Sequence, residues 1–317
     1  MKVELPEELK ANVPPTLFGR ILATTPVVMA VVATMLAGLS SSEMTRAQYD
    51  RSMAAQQQSK AGDQWSFFQA KRLRGAYQQN TAELLQNLSD VRAFDAAGMR
   101  AWAEGKGDLA KLLDSDWKRA LECLERGSPP LMLEFYTGKN TNRNVSEALR
   151  SMNSPYAEVV MPELLAKLTD AEITAALVVA MGEAEAYDAA TKPINGVVDQ
   201  LDARLPKLGV PASGAGFTLR EFTVARLHYT AARYETEARL NQSIATIYEL
   251  QVRKSNYTSE RHHKRSQEFF YGMLAAQLGV IVSTFAVAAK KRNLLWTVAA
   301  GAGLIAVAFA TYVYLWV

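Results

Sequence analysis

The chain has 317 residues, of which 49% are hydrophobic, and its formal net charge is +3. The surplus of positive charge lies in a basic loop near the C-terminus, because the basic residues of the N-terminal tail are balanced by its glutamates, and the long segment between them is neutral. A neutral segment lacks the broad positive field of a nucleic-acid-binding protein, and we expect no nucleic-acid partner. The single cysteine, Cys123, excludes an internal disulfide and falls short of a structural zinc site. We expect it to be a buried thiol.

The first apolar segment covers residues 21–39 and contains no charged residue, although Pro26 interrupts it. Proline is tolerated in membrane helices, and Arg20 directly before the segment can extend to the interface. We interpret residues 21–39 as the first transmembrane helix. A cleavable signal peptide is the alternative, but residues 1–20 carry several glutamates, which is not typical of a signal sequence.

Residues 40–105 are rich in alanine, glutamine, arginine and leucine, which favour helix. They predict an outgoing helix that continues the first membrane helix, with a break near Gly62 and a restart capped by Asp63.

Residues 106–217 predict a distal domain of shorter helices. Thr169 and Glu172 have the spacing of a capping box, and Ser154 followed by Pro155 is typical of a helix start. Loops are predicted at residues 127–130, 138–142 and 209–216.

Residues 218–268 predict a return helix that runs without a break into a second membrane segment, together about seventy residues long. Thr218 and Glu221 form a second capping-box pattern at its start. Apolar residues follow at alternating spacings of three and four, although a register break between Ala232 and Leu240 argues against a strict coiled coil. The predicted fold class is an all-α membrane protein in which the two long helices form an antiparallel stalk.

Residues 269–289 and 294–316 are the second and third predicted membrane helices, because both are uncharged and long enough to cross a bilayer. The loop at residues 290–293 is so short that these helices must form an antiparallel hairpin. The residues expected at the membrane interfaces are Arg20, Arg261, Lys264, Arg265, Lys290, Lys291, Arg292, Trp296 and Trp316.

Small residues recur at spacings of four in the hairpin, which suits close helix packing. They are Gly272 with Ala276, Gly279 with Ser283, and Ala299 with Gly303. No predicted span contains an ionisable residue, which argues against a pump or a secondary transporter.

The basic loop at residues 290–293 favours the cytoplasm, which predicts a central domain on the far side of the membrane. A second basic cluster, at residues 253–265, favours the opposite orientation, because it would meet anionic lipid on the cytoplasmic side. We give the short loop more weight, since long domains are weakly governed by charge.

No catalytic constellation is visible. Adjacent histidines His262 and His263 point about 100° apart on a helix and cannot share a metal on one face, so we expect no cofactor and no metal. Glu183, Glu185 and Asp188 are interpreted as a solvated helix face. The aromatic group at residues 65–77, interleaved with basic residues, is interpreted as a packing face rather than a single-stranded nucleic-acid site.

Residues 63–71 read DQWSFFQAK. This segment resembles the DQWxYYQAK stretch of a bacterial membrane family catalogued as domain of unknown function 4337, in which it also follows an N-terminal membrane helix. The matching residues are Asp63, Gln64, Trp65, Gln69, Ala70 and Lys71, with Phe67-Phe68 in place of the tyrosine pair. The resemblance covers about residues 21–86 and 232–317, and it implies a bacterial inner-membrane location without implying an activity.

The leading hypothesis is a non-enzymatic scaffold or accessory subunit, held in the lipid bilayer, that acts through helix–helix contacts as a homo-oligomer or with other membrane subunits. A channel or transport accessory subunit is the second hypothesis, based on the small residues of the hairpin. An enzyme with a site in the central domain is the third.

Overall fold

The computed structural model describes residues 17–88, 90–104, 115–130, 142–210, 218–289 and 292–316. These residues form helices and connecting loops, and no strand occurs among them. The chain divides into two compact units. The central unit is Gln56–Val252, and the terminal unit combines the residues up to Ala55 with those from Arg253 onward.

The helices, in chain order, are α1 (Leu17–Leu88), α2 (Ala96–Glu104), α3 (Ser115–Arg126), α4 (Arg143–Met152), α5 (Ala157–Lys167), α6 (Asp170–Arg204), a short 3₁₀ turn (Leu205–Lys207), α7 (Leu219–Ala288) and α8 (Arg292–Trp316). The all-helical class is therefore as predicted. Helices α1 and α7 each contribute to both units.

Helix α1 runs without interruption through Gly62, so the predicted break there is wrong. A single glycine costs a helix only about 1 kcal/mol. Ala61 beside it is fully buried, and the Ser66 hydroxyl donates to the Gly62 carbonyl at 2.9 Å. Packing of the helix face outweighs the local flexibility of glycine.

Helix α1 ends at Leu88, well before the predicted end at residue 105. Asn87 and Asp90 lie at this end, and short polar side chains of this kind compete with the helix for backbone hydrogen bonds. A new helix, α2, starts after Asp95, whose carboxylate accepts from the Gly98 N–H at 2.9 Å. Asp95 thus caps the start of α2.

Helix α7 is one helix of 70 residues, and the capping box predicted at its start is formed. The Glu221 N–H donates to the Thr218 hydroxyl at 3.2 Å, and the Thr218 N–H donates to the Glu221 carboxylate at 2.7 Å. The second predicted box, at Thr169 and Glu172, caps α6 in the same manner.

A loop predicted after α3 is confirmed, whereas a helix start predicted before α5 is not. Helix α3 ends at Arg126, and Gly127 follows with a φ of +66°, a conformation that side chains other than glycine rarely adopt. The predicted helix start at Ser154-Pro155 is wrong, because α5 begins at Ala157 after a turn in which the Ser154 hydroxyl accepts from the Tyr156 N–H. Residues 138–141 and 211–216 of the other predicted loops lie outside the described residues.

The core of the central unit is built from α2, α3, α6 and α7. Its largest fully buried side chains include Trp117, Tyr187, Tyr229 and Phe222. The Tyr229 hydroxyl donates to Asn195 Oδ1 at 2.7 Å, so this buried polar group is satisfied. Cys123 lies in the same core.

The terminal unit contains three helices that are long and apolar enough to cross a bilayer, within α1, α7 and α8. They pack through small and aliphatic side chains, among them Ala33, Leu36, Ala276 and Ala306. Most of the large apolar side chains of α8 remain exposed, such as Leu304 at 72%. An outward apolar surface of this kind is expected of helices that face lipid.

Candidate functional site

The small residues of the predicted membrane hairpin lie at helix contacts. Gly272, Ala276, Gly279, Ser283 and Ala299 are buried, and Gly303 is half-buried. A Cβ at Gly272 would lie 3.2 Å from the Cβ of Phe309 on α8 and 3.3 Å from Cδ1 of Leu36 on α1. The absence of a side chain at Gly272 therefore lets three helices approach one another.

Met29 of α1 fills the space above Gly279 of α7 and Gly303 of α8. A Cβ at Gly303 would lie 2.7 Å from the Met29 Cε, and one at Gly279 would overlap the same methyl group. The thioether is flexible and polarizable, which suits an irregular gap of this kind. No local pattern in the sequence indicates Met29, because its partners lie at least 250 residues further along the chain.

The residues predicted at the membrane interfaces have different environments. Arg20, Arg261 and Lys264 are exposed, whereas Arg265 is half-buried. The indole N–H of Trp296 donates to the Thr25 hydroxyl at 3.2 Å, so this tryptophan is held against α1. Lys290 and Lys291 lie outside the described residues, and only the backbone is described for Arg292 and Trp316.

His262 lies in a polar cluster between α1 and α7. Its Nδ1 is 2.5 Å from Glu43 Oε2, and its Nε2 is 4.0 Å from Asp50 Oδ2. All three side chains are half-buried. The Ser259 hydroxyl nearby donates to the Ala47 carbonyl at 2.8 Å, and Ser40 and Ser266 donate to each other's carbonyls at 2.9 and 2.8 Å.

The other two histidines contact residues that are not part of this cluster. His228 contacts Gln79, and His263 contacts Gln267. Among the residues that the structure describes, no group of three or more histidine, cysteine, aspartate or glutamate side chains is arranged to hold a metal ion.

A groove of about 400 Å³ in the central unit is lined by two acidic and two basic side chains. Arg92 Nε donates to Glu221 Oε1 at 3.1 Å, and Arg126 Nη2 donates to the Pro129 carbonyl at 3.1 Å. Three of these charges, Arg92, Glu221 and Arg126, are therefore engaged in structural contacts at the start of α7 and at the end of α3. The two contacts hold the loop segments beside α7 and α3 in place.

The DQWSFFQAK segment lies on α1 in the central unit, and part of it faces α7. The Trp65 indole N–H donates to Glu249 Oε1 at 2.8 Å, and its ring meets Phe68 edge-on at a centroid distance of 5.3 Å. Lys71 Nζ lies 2.7 Å from Glu237 Oε2. Gln64 is half-buried, whereas Asp63, Gln69 and Ala70 are exposed.

The prediction that the whole aromatic group forms one packing face is wrong for two of its members. Phe67 is 54% exposed, and Tyr77 is 70% exposed. Tyr77 belongs instead to an outer row on α1, formed with Leu73, Leu84 and Leu88, that lies opposite the buried residues Gly75 and Ala82. The spacing of four, seven and four residues in this outer row is the sequence signal that could have found it.

The comparison with family models finds a match over residues 18–114, to the family described as Domain of unknown function (DUF4337). Neither the comparison with curated proteins nor that with solved structures finds a match. The match includes the first apolar segment and the DQWSFFQAK segment, and it extends beyond residue 86, where the resemblance was expected to stop. The similarity proposed for residues 232–317 lies outside the matched range.

The N-terminal portion of this chain, residues 18–114, is thus similar to the family described as Domain of unknown function (DUF4337).

Proposed function

We propose that this protein is a membrane-anchored scaffold, an assembly or accessory subunit that acts through helix–helix contacts outside the bilayer. The observation that carries the proposal is the outer row of α1. Leu73, Tyr77, Leu84 and Leu88 are between 60% and 81% exposed on a helix whose opposite face is already packed. Exposed apolar rows of this kind mark protein interaction sites.

The anchor in the proposal rests on three apolar helices packed closely enough to form a defined unit. Met29 packs between two glycines, and Ser40 and Ser266 exchange hydrogen bonds. Both contacts require a defined helix geometry, which nonspecific association of apolar surfaces does not. We infer that the protein is a multi-pass protein of a bacterial inner membrane.

In this proposal, α1 and α7 form an antiparallel stalk. Three contacts in the central unit follow one antiparallel register. Trp65 meets Glu249, Lys71 meets Glu237, and a Cβ at Gly75 would lie 3.3 Å from the Ala231 carbonyl oxygen. A helix held by such contacts can present its other face without losing its own fold.

We propose that the central domain lies on the periplasmic side, with the N-terminus and the loop at residues 290–293 in the cytoplasm. This orientation requires the C-terminus to be periplasmic. A reporter that is active only in the periplasm, fused after Val317, is expected to be active. Activity of the matched cytoplasmic reporter at the same position would reverse the orientation but leave the scaffold proposal intact.

The scaffold proposal is tested on the full-length protein extracted from its native membranes in mild detergent. We expect the wild type to travel with other protein chains, either copies of itself or further subunits, at a mass above that of the monomer. Leu84→Glu places a charge in the outer row and is expected to release most of the assembled protein, because a charge buried in such a contact costs several kcal/mol, roughly a thousandfold in affinity.

Gln86→Glu is the matched control, because Gln86 is also exposed on α1 but points about 160° away from Leu84. It is expected to leave assembly unchanged. A wild type that runs as a monodisperse monomer and brings no partner from the membrane would refute the proposal.

A further inference from the structure

The outer row of α1 has the spacing of a coiled-coil seam. Ala70, Tyr77 and Leu84 are spaced seven residues apart. Leu73, Asn80 and Asn87 each follow one of these residues by three positions and form the second core position of the heptad. All six side chains are exposed. At 100° per residue, the four large apolar side chains of the row fall within about 60° of one another on the helix.

The two asparagines in this seam favour a second copy of the same chain as the occupant. A primary amide both donates and accepts, so Asn80 can pair with Asn80 of another copy at the same level, and Asn87 can do the same. The best-attested case is an asparagine at the other core position of the heptad, which sets register and partner number at a cost in stability. A different partner would have to supply a hydrogen-bonding group at each of these levels.

The charges that flank the seam are compatible with self-pairing in parallel. In a parallel pair, flanking residues meet at a separation of five, which brings Gln69 to Arg74, Ala76 to Thr81 and Glu83 to Leu88 of the second copy. None of these pairs joins like charges. Arg74 gains an amide acceptor, and no charged side chain falls inside the seam.

The size of the seam indicates that the pairing depends on membrane confinement. The four large side chains of the outer row, three in the seam and the flanking Leu88, offer roughly 500 Å² per copy, below the ~800 Å² per partner of a stable, freely diffusing complex. Two copies inserted in one membrane with the same topology send α1 in the same direction, which removes much of the entropic cost of alignment.

We propose that two copies associate through residues 70–88 of α1 as a parallel two-stranded coil, with Tyr77 facing Tyr77 and Leu84 facing Leu84. This proposal rests on the scaffold function proposed above and names its first partner as the protein itself.

Cysteine cross-linking of the full-length chain in native membrane vesicles tests the pairing. The background is Cys123→Ala, which removes the native thiol. Leu84→Cys and Tyr77→Cys are each expected to form a disulfide-linked dimer under mild oxidation, because disulfide formation needs Cα atoms within about 7 Å. Gln86→Cys is the control at the same level, and we expect about tenfold less dimer from it.

The direction of pairing is tested by mixing two variants in one membrane. Leu73→Cys and Leu84→Cys, expressed together from distinguishable chains, would cross-link to each other in an antiparallel pair and only to themselves in a parallel pair. Preferential mixed dimers, or equal dimer from Leu84→Cys and Gln86→Cys, would overturn the inference.

Failure of the self-pairing is distinguishable from failure of the scaffold function. If cross-linking fails but the wild type still travels with other membrane proteins, the inference is wrong and the scaffold proposal holds. If neither is observed, both are wrong.

Discussion

The methyl group of Met29 occupies the position at which Gly279 would carry its Cβ. The same methyl group and the sulfur of Met29 lie 2.7 and 3.0 Å from a Cβ at Gly303. One side chain of α1 is therefore seated between the two helices of the C-terminal hairpin.

This arrangement predicts a strong position dependence for leucine substitutions. Gly279→Leu is expected to destabilise the folded protein by about 1–3 kcal/mol, because it displaces Met29 and separates the helices. Gly279→Ala should cost less, since the end of the methionine side chain can move. Thermal unfolding of the full-length protein in detergent measures the effect.

Gly301→Leu is the control for this series, because nothing lies within 4 Å of a Cβ at that position. It is expected to leave the unfolding temperature unchanged. Equal losses from Gly279→Leu and Gly301→Leu would show that Met29 does not hold the three helices together.

The Trp65–Glu249 hydrogen bond predicts an energetic coupling between α1 and α7 in the central unit. Trp65→Phe keeps an aromatic ring but removes the N–H donor, and we expect a loss of about 1–2 kcal/mol, because the acceptor is charged and half-buried. A double-mutant cycle with Glu249→Gln isolates the interaction.

Phe67→Leu is the matched control in that segment, because Phe67 is 54% exposed. Its effect on the free energy of unfolding should stay within about 0.5 kcal/mol. If the cycle yielded additive effects, the hydrogen bond would contribute nothing to the pairing of α1 with α7.

The capping box of α6 predicts an acid-sensitive contribution to stability. The backbone N–H of Thr169, followed by its hydroxyl, lowers the pKa of Glu172 below its ordinary value of 4.5. A carboxyl whose pKa is lower in the folded state stabilises the fold above its unfolded pKa, and this contribution disappears as the pH falls through the folded pKa.

Glu172→Gln is expected to reduce the slope of unfolding free energy against pH in this acidic range, from about pH 5 downward. Glu185→Gln, an exposed substitution on the same helix, serves for comparison. An unchanged slope in Glu172→Gln would mean that the cap carries no ionic contribution.

The environment of Cys123 predicts a slowly reacting thiol. The side chain is 3% exposed, and burial raises its pKa, with Arg126 acting in the opposite direction. The thiolate is the reactive form, so a raised pKa leaves less of it at pH 8. We expect labelling in the folded protein to be slower than after denaturation by a factor on the order of 100.

The exposed Leu84→Cys variant, made in the Cys123→Ala background, provides the rate of an accessible thiol. Complete labelling of Cys123 at that rate, under conditions where the tryptophan fluorescence is still native, would contradict the buried position.

Features encoded within a few consecutive residues were predictable from the sequence. The apolar stretches of three helices, the capping boxes at Thr169 and Thr218, and the helix end at Gly127 each depend on local hydrophobicity or on a local hydrogen bond. The DQWSFFQAK segment indicated the family for the same reason, since nine adjacent residues carry the resemblance.

Features that depend on a distant partner were not predictable. Gly62 looked like a break but is held in helix α1, whose face packs in the central unit, and Tyr77 looked like a packing residue but points outward. His262 meets Glu43 across 219 positions of sequence, and Trp65 meets Glu249 across 184.

The sequence by itself determined that this protein is helical and that three of its helices prefer an apolar environment, because burial of apolar surface is additive along the chain and caps act over one turn. Only the tertiary structure decided which face of α1 is packed and which is left exposed, and that Met29 lies between two glycines. Those outcomes depend on how two helices of about seventy residues are rotated against each other, which is a property of their contacts rather than of either segment.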